Sequence, residues 1–160
     1  MARTLPPPDK LLVLLERTAP RIAAATKGVA ATRLQTAPLG DEWSPNDVLA
    51  HLRSCADVWG NWIRTILAED GPTIRAINPR TWIRDTNYAG LRFGTSFRAF
   101  TKQRTGLLDV LRPLSAEAWV RTATVTGGGK PLLLTVQRYA ERMAVHERAH
   151  AGQIERMLAT

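Results

Sequence analysis

The sequence predicts an all-α protein, an antiparallel four-helix bundle. Four long stretches repeat apolar residues at steps of three and four, the spacing of one helical face. Helix-start and helix-stop residues bound these stretches, and the segments between them are mostly polar. Two short β-prone runs flank Gly127-Gly128-Gly129 and are expected to pair as a small hairpin before the last helix. Amphipathic helices joined this way bury their stripes against one another.

The totals agree. At 160 residues with 44% hydrophobic and 22% charged residues, the chain is one globular domain with a real core. The longest apolar run, Leu11 to Leu15, is far too short to cross a bilayer. No secretory signal is visible, and the single cysteine, Cys55, excludes an internal disulfide framework. The expected setting is cytoplasmic, with no membrane partner. The net charge of +8 raises nucleic-acid binding as a reading. The arginines are spread along the chain without a basic run or a recognition motif, so nucleic acid is not the expected partner.

Residues 1–8, with Pro6-Pro7-Pro8, read as a disordered or extended tail, and 9–160 as a single domain. Asp9 is a cap for a first helix whose stripe is Leu11, Leu12, Leu14 and Leu15. Pro20 predicts a kink or restart, and Gly28 an end; Val29 to Gln35 is a weaker helical stretch. Trp43-Ser44-Pro45-Asn46-Asp47 is a strong helix start: Ser44 caps, Pro45 fits the first turn, and Asp47 favours the helix N-terminus. This second helix runs to about Leu67 over Val48, Leu52, Cys55, Trp59, Trp62, Ile63 and Ile66. Residues 71–87 form a long connection, pinned to the bundle by Trp82, of the kind that covers sites. A third helix spans Tyr88 to Leu111, with Phe93, Phe97, Phe100, Leu107 and Leu111 on its buried face. Ser115 caps a short turn through Trp119. Val120–Val125 and Leu132–Leu134 are the hairpin runs, and Thr135 caps a last helix to about Leu158. The glycine run is not a phosphate loop, because Pro131 follows Lys130 where such a loop needs Ser or Thr.

The last helix carries the chemistry. Val136, Tyr139, Met143, His146, His150, Gln153 and Met157 follow the apolar steps without a break, so both imidazoles point inward. Inward imidazoles need partners, and histidines at i and i+4 can grip one metal ion. His146-Glu147-x-x-His150 matches the H-E-x-x-H pattern of zinc peptidases. The third ligand of that class is missing: Gln153 and Arg156 stand where glycine and histidine are required, and only ten residues follow His150. The one other histidine, His51, lies early in the second helix. If the second and fourth helices are neighbours, three imidazoles converge and leave a coordination position open, as in catalytic metal sites.

Trp43-Ser44-Pro45, then Val48-Leu49-Ala50-His51-Leu52, and later His146-x-x-x-His150-x-x-Gln153-Ile154 resemble the DinB/YfiT-like superfamily over nearly the whole chain. The resemblance implies an up-down-down-up bundle and a divalent metal on residues matching His51, His146 and His150. It implies homodimers in many members. It also implies relatives that are thiol-dependent S-transferases or isomerases using bacillithiol or mycothiol, and others called metal-dependent hydrolases. The expected function is therefore a metalloenzyme that activates a thiol or water for a small-molecule substrate. A metal-dependent hydrolase and a non-catalytic metal-binding or stress-response bundle are the alternatives. Zinc, nickel or iron suits the imidazoles, and a low-molecular-weight thiol is the expected co-substrate.

Three further residues are candidate catalytic groups. Gln153 lies one turn from His150 and is read as a substrate or ligand-supporting group. Glu147, about 100° around the helix from His146, is read as facing solvent. Arg104 is read as snorkelling to the surface, the sharper alternative being an anion-binding group inside the bundle. Cys55, one turn from His51, is read as a small core residue rather than a fourth ligand. Asp47 and Asp57 are assigned to the helix cap and the helix surface.

Overall fold

The computed structural model describes residues 4–159. Four long helices dominate it: α1 (Pro8–Thr26), α2 (Pro45–Ala68), α3 (Phe93–Leu111) and α4 (Val136–Leu158). The expected tail is described from residue 4, and residues 4–7 carry no helix or strand; residues 1–3 and 160 lie outside the described residues. The helix begins at Pro8, with Pro7 at the cap position and no side-chain capping bond, so Asp9 sits in the first turn instead of capping it. Pro20 lies inside α1, which runs on through it without a restart. The weak stretch after Gly28 shrinks to one turn, Ala31–Leu34.

The start of α2 forms as its sequence dictates. Ser44 Oγ accepts from the Asp47 amide at 3.1 Å and Asp47 Oδ2 accepts from the Ser44 amide at 2.9 Å, a reciprocal capping box. Thr135 caps α4 by accepting from the Arg138 amide. Helix α3 starts at Phe93, later than the expected Tyr88. Residues Tyr88–Gly90 form a separate 3-10 turn, held by Asn46 Nδ2, which donates to the carbonyls of Ala89 and Leu91.

Side-chain pairs fix the helix directions. Arg53 reaches Ser96 and Asp57 meets Gln103, so α2 and α3 run parallel. Gln137 bonds Pro6 and Arg21 bonds Glu155, so α1 and α4 run parallel. His51 faces His146 while Trp62 faces Tyr139, so α2 and α4 run antiparallel, and α1 and α3, which run parallel to α4 and α2, are therefore antiparallel too. The topology is up-down-down-up, and α2 and α4 are neighbours.

The hairpin forms as β2 (Thr122–Thr126) and β3 (Leu132–Thr135), with Thr124 opposite Leu133. A third strand inside the long connection, β1 (Thr73–Arg75), was not anticipated; it pairs in parallel with β2, Ile74 opposite Val125. Gly127 and Gly129 have φ of 90° and 111°, the left-handed backbone that a turn requires and glycine adopts without strain. No helix among the described residues is long and apolar enough to cross a membrane.

The core falls into two apolar clusters. One gathers Leu11, Leu15, Trp59, Leu107 and Met143 beneath the sheet; the other gathers Ile22, Leu49, Phe100 and Ile154. Between them each helix contributes buried or half-buried polar groups: Thr18 from α1, His51 from α2, Arg104 from α3, and His146 with Glu147 from α4. This polar layer is where the site lies.

Candidate metal centre

The antiparallel neighbours α2 and α4 bring all three histidines together. Ring centroids stand 4.9 Å apart for His51 and His146, 5.0 Å for His51 and His150, and 4.4 Å for His146 and His150. Trp43 lies 6.4 Å from His150 in a stacked arrangement and 5.2 Å from His51, and Trp59 meets His146 edge-on at 5.1 Å. The two indoles flank the cluster, one from the residue before the Ser44 cap and one from two turns past His51.

His51 Nε2 and His146 Nε2 are 2.9 Å apart, and Cys55 Sγ lies 3.7 Å from the first and 3.8 Å from the second. Donors at metal bonds of about 2.05 Å (nitrogen) and 2.3 Å (sulfur) stand about 2.9–3.4 Å (N to N) and about 3.1–3.6 Å (N to S) apart at coordination angles of about 90–110°, so the Cys55 separations lie just outside that range. The donor atoms of His51, Cys55 and His146 all fall within 4.8 Å of one another, a set that can hold a metal ion. Cys55 is therefore not only a core residue: although buried, it sits against the imidazoles. The i, i+4 spacing from His51 was its sequence signal.

His150 joins from the side. Its Nδ1 pairs with Gln153 Oε1 at 2.8 Å. A carboxamide oxygen only accepts, so Nδ1 carries the proton and Nε2 keeps its lone pair, the arrangement that orients metal-bound histidines. His146 Nδ1 is buried without a partner.

Burial drives the electrostatics. It pushes His51 down to about 4 and His146 to about 3, with neighbouring imidazoles adding to the effect, and lowers His150. All three are neutral, lone-pair-bearing imidazoles near neutrality, as metal ligands must be. Burial pushes the Cys55 thiol up to about 12, against the opposing pull of Arg80; a bound cation reverses such a preference. Arg80 lies 5.3 Å over the Trp43 ring. Trp43, Arg80, His150 and Gln153 line a cleft of about 550 Å³ that gives the cluster an opening.

Two expectations are corrected. Arg104 does not snorkel, and Glu147 does not face solvent: each is 3% exposed, and they form an ion pair across the bundle interior. A long chain reaching outward would have left Glu147 as an unpaired buried carboxylate, which costs more than the paired arrangement. Asp57 is likewise more than a surface residue. It accepts from Tyr88 Oη at 2.7 Å, from Trp82 Nε1 at 3.3 Å and from Gln103, tying the long connection and α3 to α2. Trp82 thus holds the connection by a hydrogen bond while its ring stays 37% exposed.

The DinB superfamily model matches residues 14–154. The chain belongs to the DinB superfamily. Among solved structures it is similar to YfiT from Bacillus subtilis, described as a probable metal-dependent hydrolase with an unusual four-helix bundle topology. That match has a TM-score of 0.75 at 18% identity over 95% of this chain and 87% of that one. It is also similar to the mycothiol-dependent maleylpyruvate isomerase, with a TM-score of 0.68 at 16% identity over 93% of this chain and 61% of that one. A Streptococcus pneumoniae protein gives 0.71 at 14% identity over 99% and 92%. No curated protein sequence matches the chain. At these identities the structural likeness establishes the shared fold.

Proposed function

We propose that this DinB-superfamily protein is a metal-dependent enzyme in which His51, His146 and His150 hold a divalent ion that activates a thiol for transfer to a small electrophile. The observation that carries the reading is the convergence of three neutral imidazoles from two neighbouring helices, one of them oriented by Gln153 at the foot of an open cleft. The description of one neighbour as mycothiol-dependent supports a thiol, and that of YfiT supports water as the activated group in a hydrolase. When bound, the ion lowers the pKa of a coordinated thiol or water and supplies a nucleophile near neutrality. The chain's own groups do the rest. Gln153 fixes the His150 tautomer, Trp43 and Trp59 brace the rings, and Arg80 at the mouth favours an approaching thiolate or acid.

A second reading has its own observation. Cys55, close to two of the imidazoles, closes the coordination sphere if it binds, which favours a non-catalytic metal site. Elemental analysis and cobalt substitution separate these outcomes. His150→Ala should lose most of its metal and keep its helical circular dichroism. A thiolate-to-cobalt absorption band that appears only on adding an external thiol supports the transferase. The same band without added thiol, lost in Cys55→Ser, supports closure. Thiol consumption from a panel of small thiols with an electrophile is the activity test. Ester hydrolysis without thiol turnover moves the assignment to the hydrolase, and undiminished metal in His150→Ala overturns the three-histidine site.

A further inference from the structure

Helix α2 works on two faces. His51 and Cys55 look toward α4 and the imidazole cluster. Asn46, Arg53 and Asp57, spaced by helical repeats, lie on a stripe across the helix from them. Each residue of that stripe holds the segment that leads into α3. Asn46 Nδ2 donates to the carbonyls of Ala89 and Leu91. The Arg53 guanidinium lies 3.6 Å over the Tyr88 ring, and its Nη1 donates to Ser96 Oγ at 3.2 Å. Asp57 Oδ2 accepts from Tyr88 Oη at 2.7 Å and from Trp82 Nε1 at 3.3 Å, and its Oδ1 accepts from Gln103.

The same segment carries Arg80. Asn78 Oδ1 accepts from the Arg80 amide at 2.9 Å and starts the single helical turn Pro79–Trp82, so Arg80 and Trp82 belong to one short unit. Trp82 ties that unit to Asp57. Arg80 reaches from it to stand 5.3 Å over the Trp43 ring, exposed at the mouth of the cleft that His150 and Gln153 line. Burial is the first cause of the low pKa of His51 and His150, and the Arg80 charge adds to it at both, as a guanidinium close to the cluster must. Asp41 and Glu42 line the same cleft, yet the Arg80 guanidinium makes no ion pair or hydrogen bond among the described residues. Its place is set by the turn that bears it.

A cation at the mouth of a cleft acts on what enters, and its effect depends on where it is held. We infer that Asp57 is a positioning residue for the metal cleft: through Trp82 and Tyr88 it fixes the turn that bears Arg80, and Arg80 so placed selects a thiol or substrate that carries an anionic group beyond its reacting atom. This rests on the metal reading of the three histidines and adds the charge class of the molecule that binds there. The guanidinium stays charged and offers a planar fork to a carboxylate, sulfonate or phosphate. The sign of one substitution separates position from charge. A carboxylate repels an anion, so an Asp57 acting on the cleft by charge alone would weaken anion binding, and its removal would strengthen it. An Asp57 that holds Arg80 gives the opposite sign.

The test is titration of the cobalt-loaded full chain with 3-mercaptopropanesulfonate and with 3-mercaptopropanol, followed by the cobalt absorption spectrum. The two thiols differ by a sulfonate that is itself a poor metal ligand. The parent should bind the sulfonate about tenfold tighter than the alcohol. Arg80→Gln should lose most of that preference. Asp57→Ala, with Arg80 intact, should lose about threefold or more of it, with the metal content and helical circular dichroism of the parent. Trp82→Phe, which removes one donor and keeps the acid, should lose part of it, and carries the test if Asp57→Ala does not fold. Asp57→Asn, which drops the charge but keeps an oxygen for Tyr88 and Trp82, should stay close to the parent. Hydrogen exchange at residues 78–90 of the metal-free protein should quicken in Asp57→Ala and not in Asp57→Asn. No bound cobalt, or neither thiol moving its spectrum, overturns this inference together with the reading of the histidines. Equal affinity for the two thiols, a preference that Arg80→Gln leaves intact, one that Asp57→Ala leaves intact or strengthens, a loss in Asp57→Asn as large as in Asp57→Ala, or unchanged exchange in Asp57→Ala overturns this inference alone.

Discussion

Replacing Glu147 by alanine removes the carboxylate that meets Arg104 at the centre of the bundle. Both groups are 3% exposed. Burial and the nearby Arg64 bring the Arg104 pKa down only to about 9, so the guanidinium is still cationic at neutral pH and is left alone in the core. Breaking a buried pair from one side costs about 3–5 kcal/mol, against about 0–1 kcal/mol for an exposed pair. Arg104 Nε and Glu147 Oε2 already lack partners, so the pair is not held by a full set of hydrogen bonds. That sets the expectation near the lower end, about 3 kcal/mol. For a chain of 160 residues, about 2–4 °C is lost per kcal/mol, which gives a fall in Tm of about 6–12 °C. Thermal and urea denaturation followed by circular dichroism measures it, on protein held with a chelator so that metal binding adds no stability of its own. The double variant Arg104→Met with Glu147→Leu removes both charges at similar volume and should recover most of the loss. A cost below about 1 kcal/mol for Glu147→Ala, or a double variant no better than the single one, would refute the closed buried pair.

Acid should destabilise the metal-free protein from an unusually early point. His51 and His146 titrate at about 4 and about 3 when folded but near the ordinary 6.5 when unfolded. Below pH 6.5 the unfolded chain takes up protons that the folded chain refuses, so stability should be flat from pH 8 to 7 and fall from 6.5 toward 4. Urea midpoints across that range, with a shallower fall in His146→Asn, check the sign; a midpoint that rises on acidification contradicts it. The same low values should let bound zinc resist proton competition at pH 5.5, where ordinary imidazoles would release it, as measured by a chromophoric chelator. Ser44→Ala opens the capping box and should cost about 1 kcal/mol in the same denaturation assay without changing metal content. Asp57→Ala releases Trp82, Tyr88 and Gln103 together, and limited proteolysis should then cut within residues 76–90 well before the helices.

What the sequence disclosed followed the range over which each signal acts. The caps at Ser44 and Thr135 involve residues three apart, so their chemistry is complete in a short window. The histidine pair likewise declared itself through one helical turn. Strand β1 did not, because three residues between Pro72 and Pro79 show no period and their partner, β2, lies about fifty residues away. Helix periodicity placed Arg104 on the buried stripe correctly, and only the habit of long charged chains to reach outward argued against it. Glu147 was misplaced for a different reason. Turning about 100° from His146 leaves the stripe of a helix with one neighbour, but α4 packs against both α1 and α2, and its buried arc is wide enough to include Glu147. The two misplaced charges complete each other, and an arginine in one stripe with a glutamate beside another was the signal available.

The position of these groups gives the reason they cluster. Thr18, Arg104 and His146 with Glu147 each interrupt a helix between residues of the two apolar clusters, and His51 lies within one of them, one turn before Cys55 of the other. One polar residue in an apolar stripe costs stability and is ordinarily a reason to doubt the helix. Where the stripes break near one level, His51 meets His146 and Arg104 meets Glu147, and the level becomes a polar layer enclosed above and below. Such a layer offers what a metal needs: donors fixed by rigid helices in a medium that strengthens their charges. The cleft lined by His150 and Gln153 reaches this layer from outside, and the Arg104–Glu147 pair is buried within it.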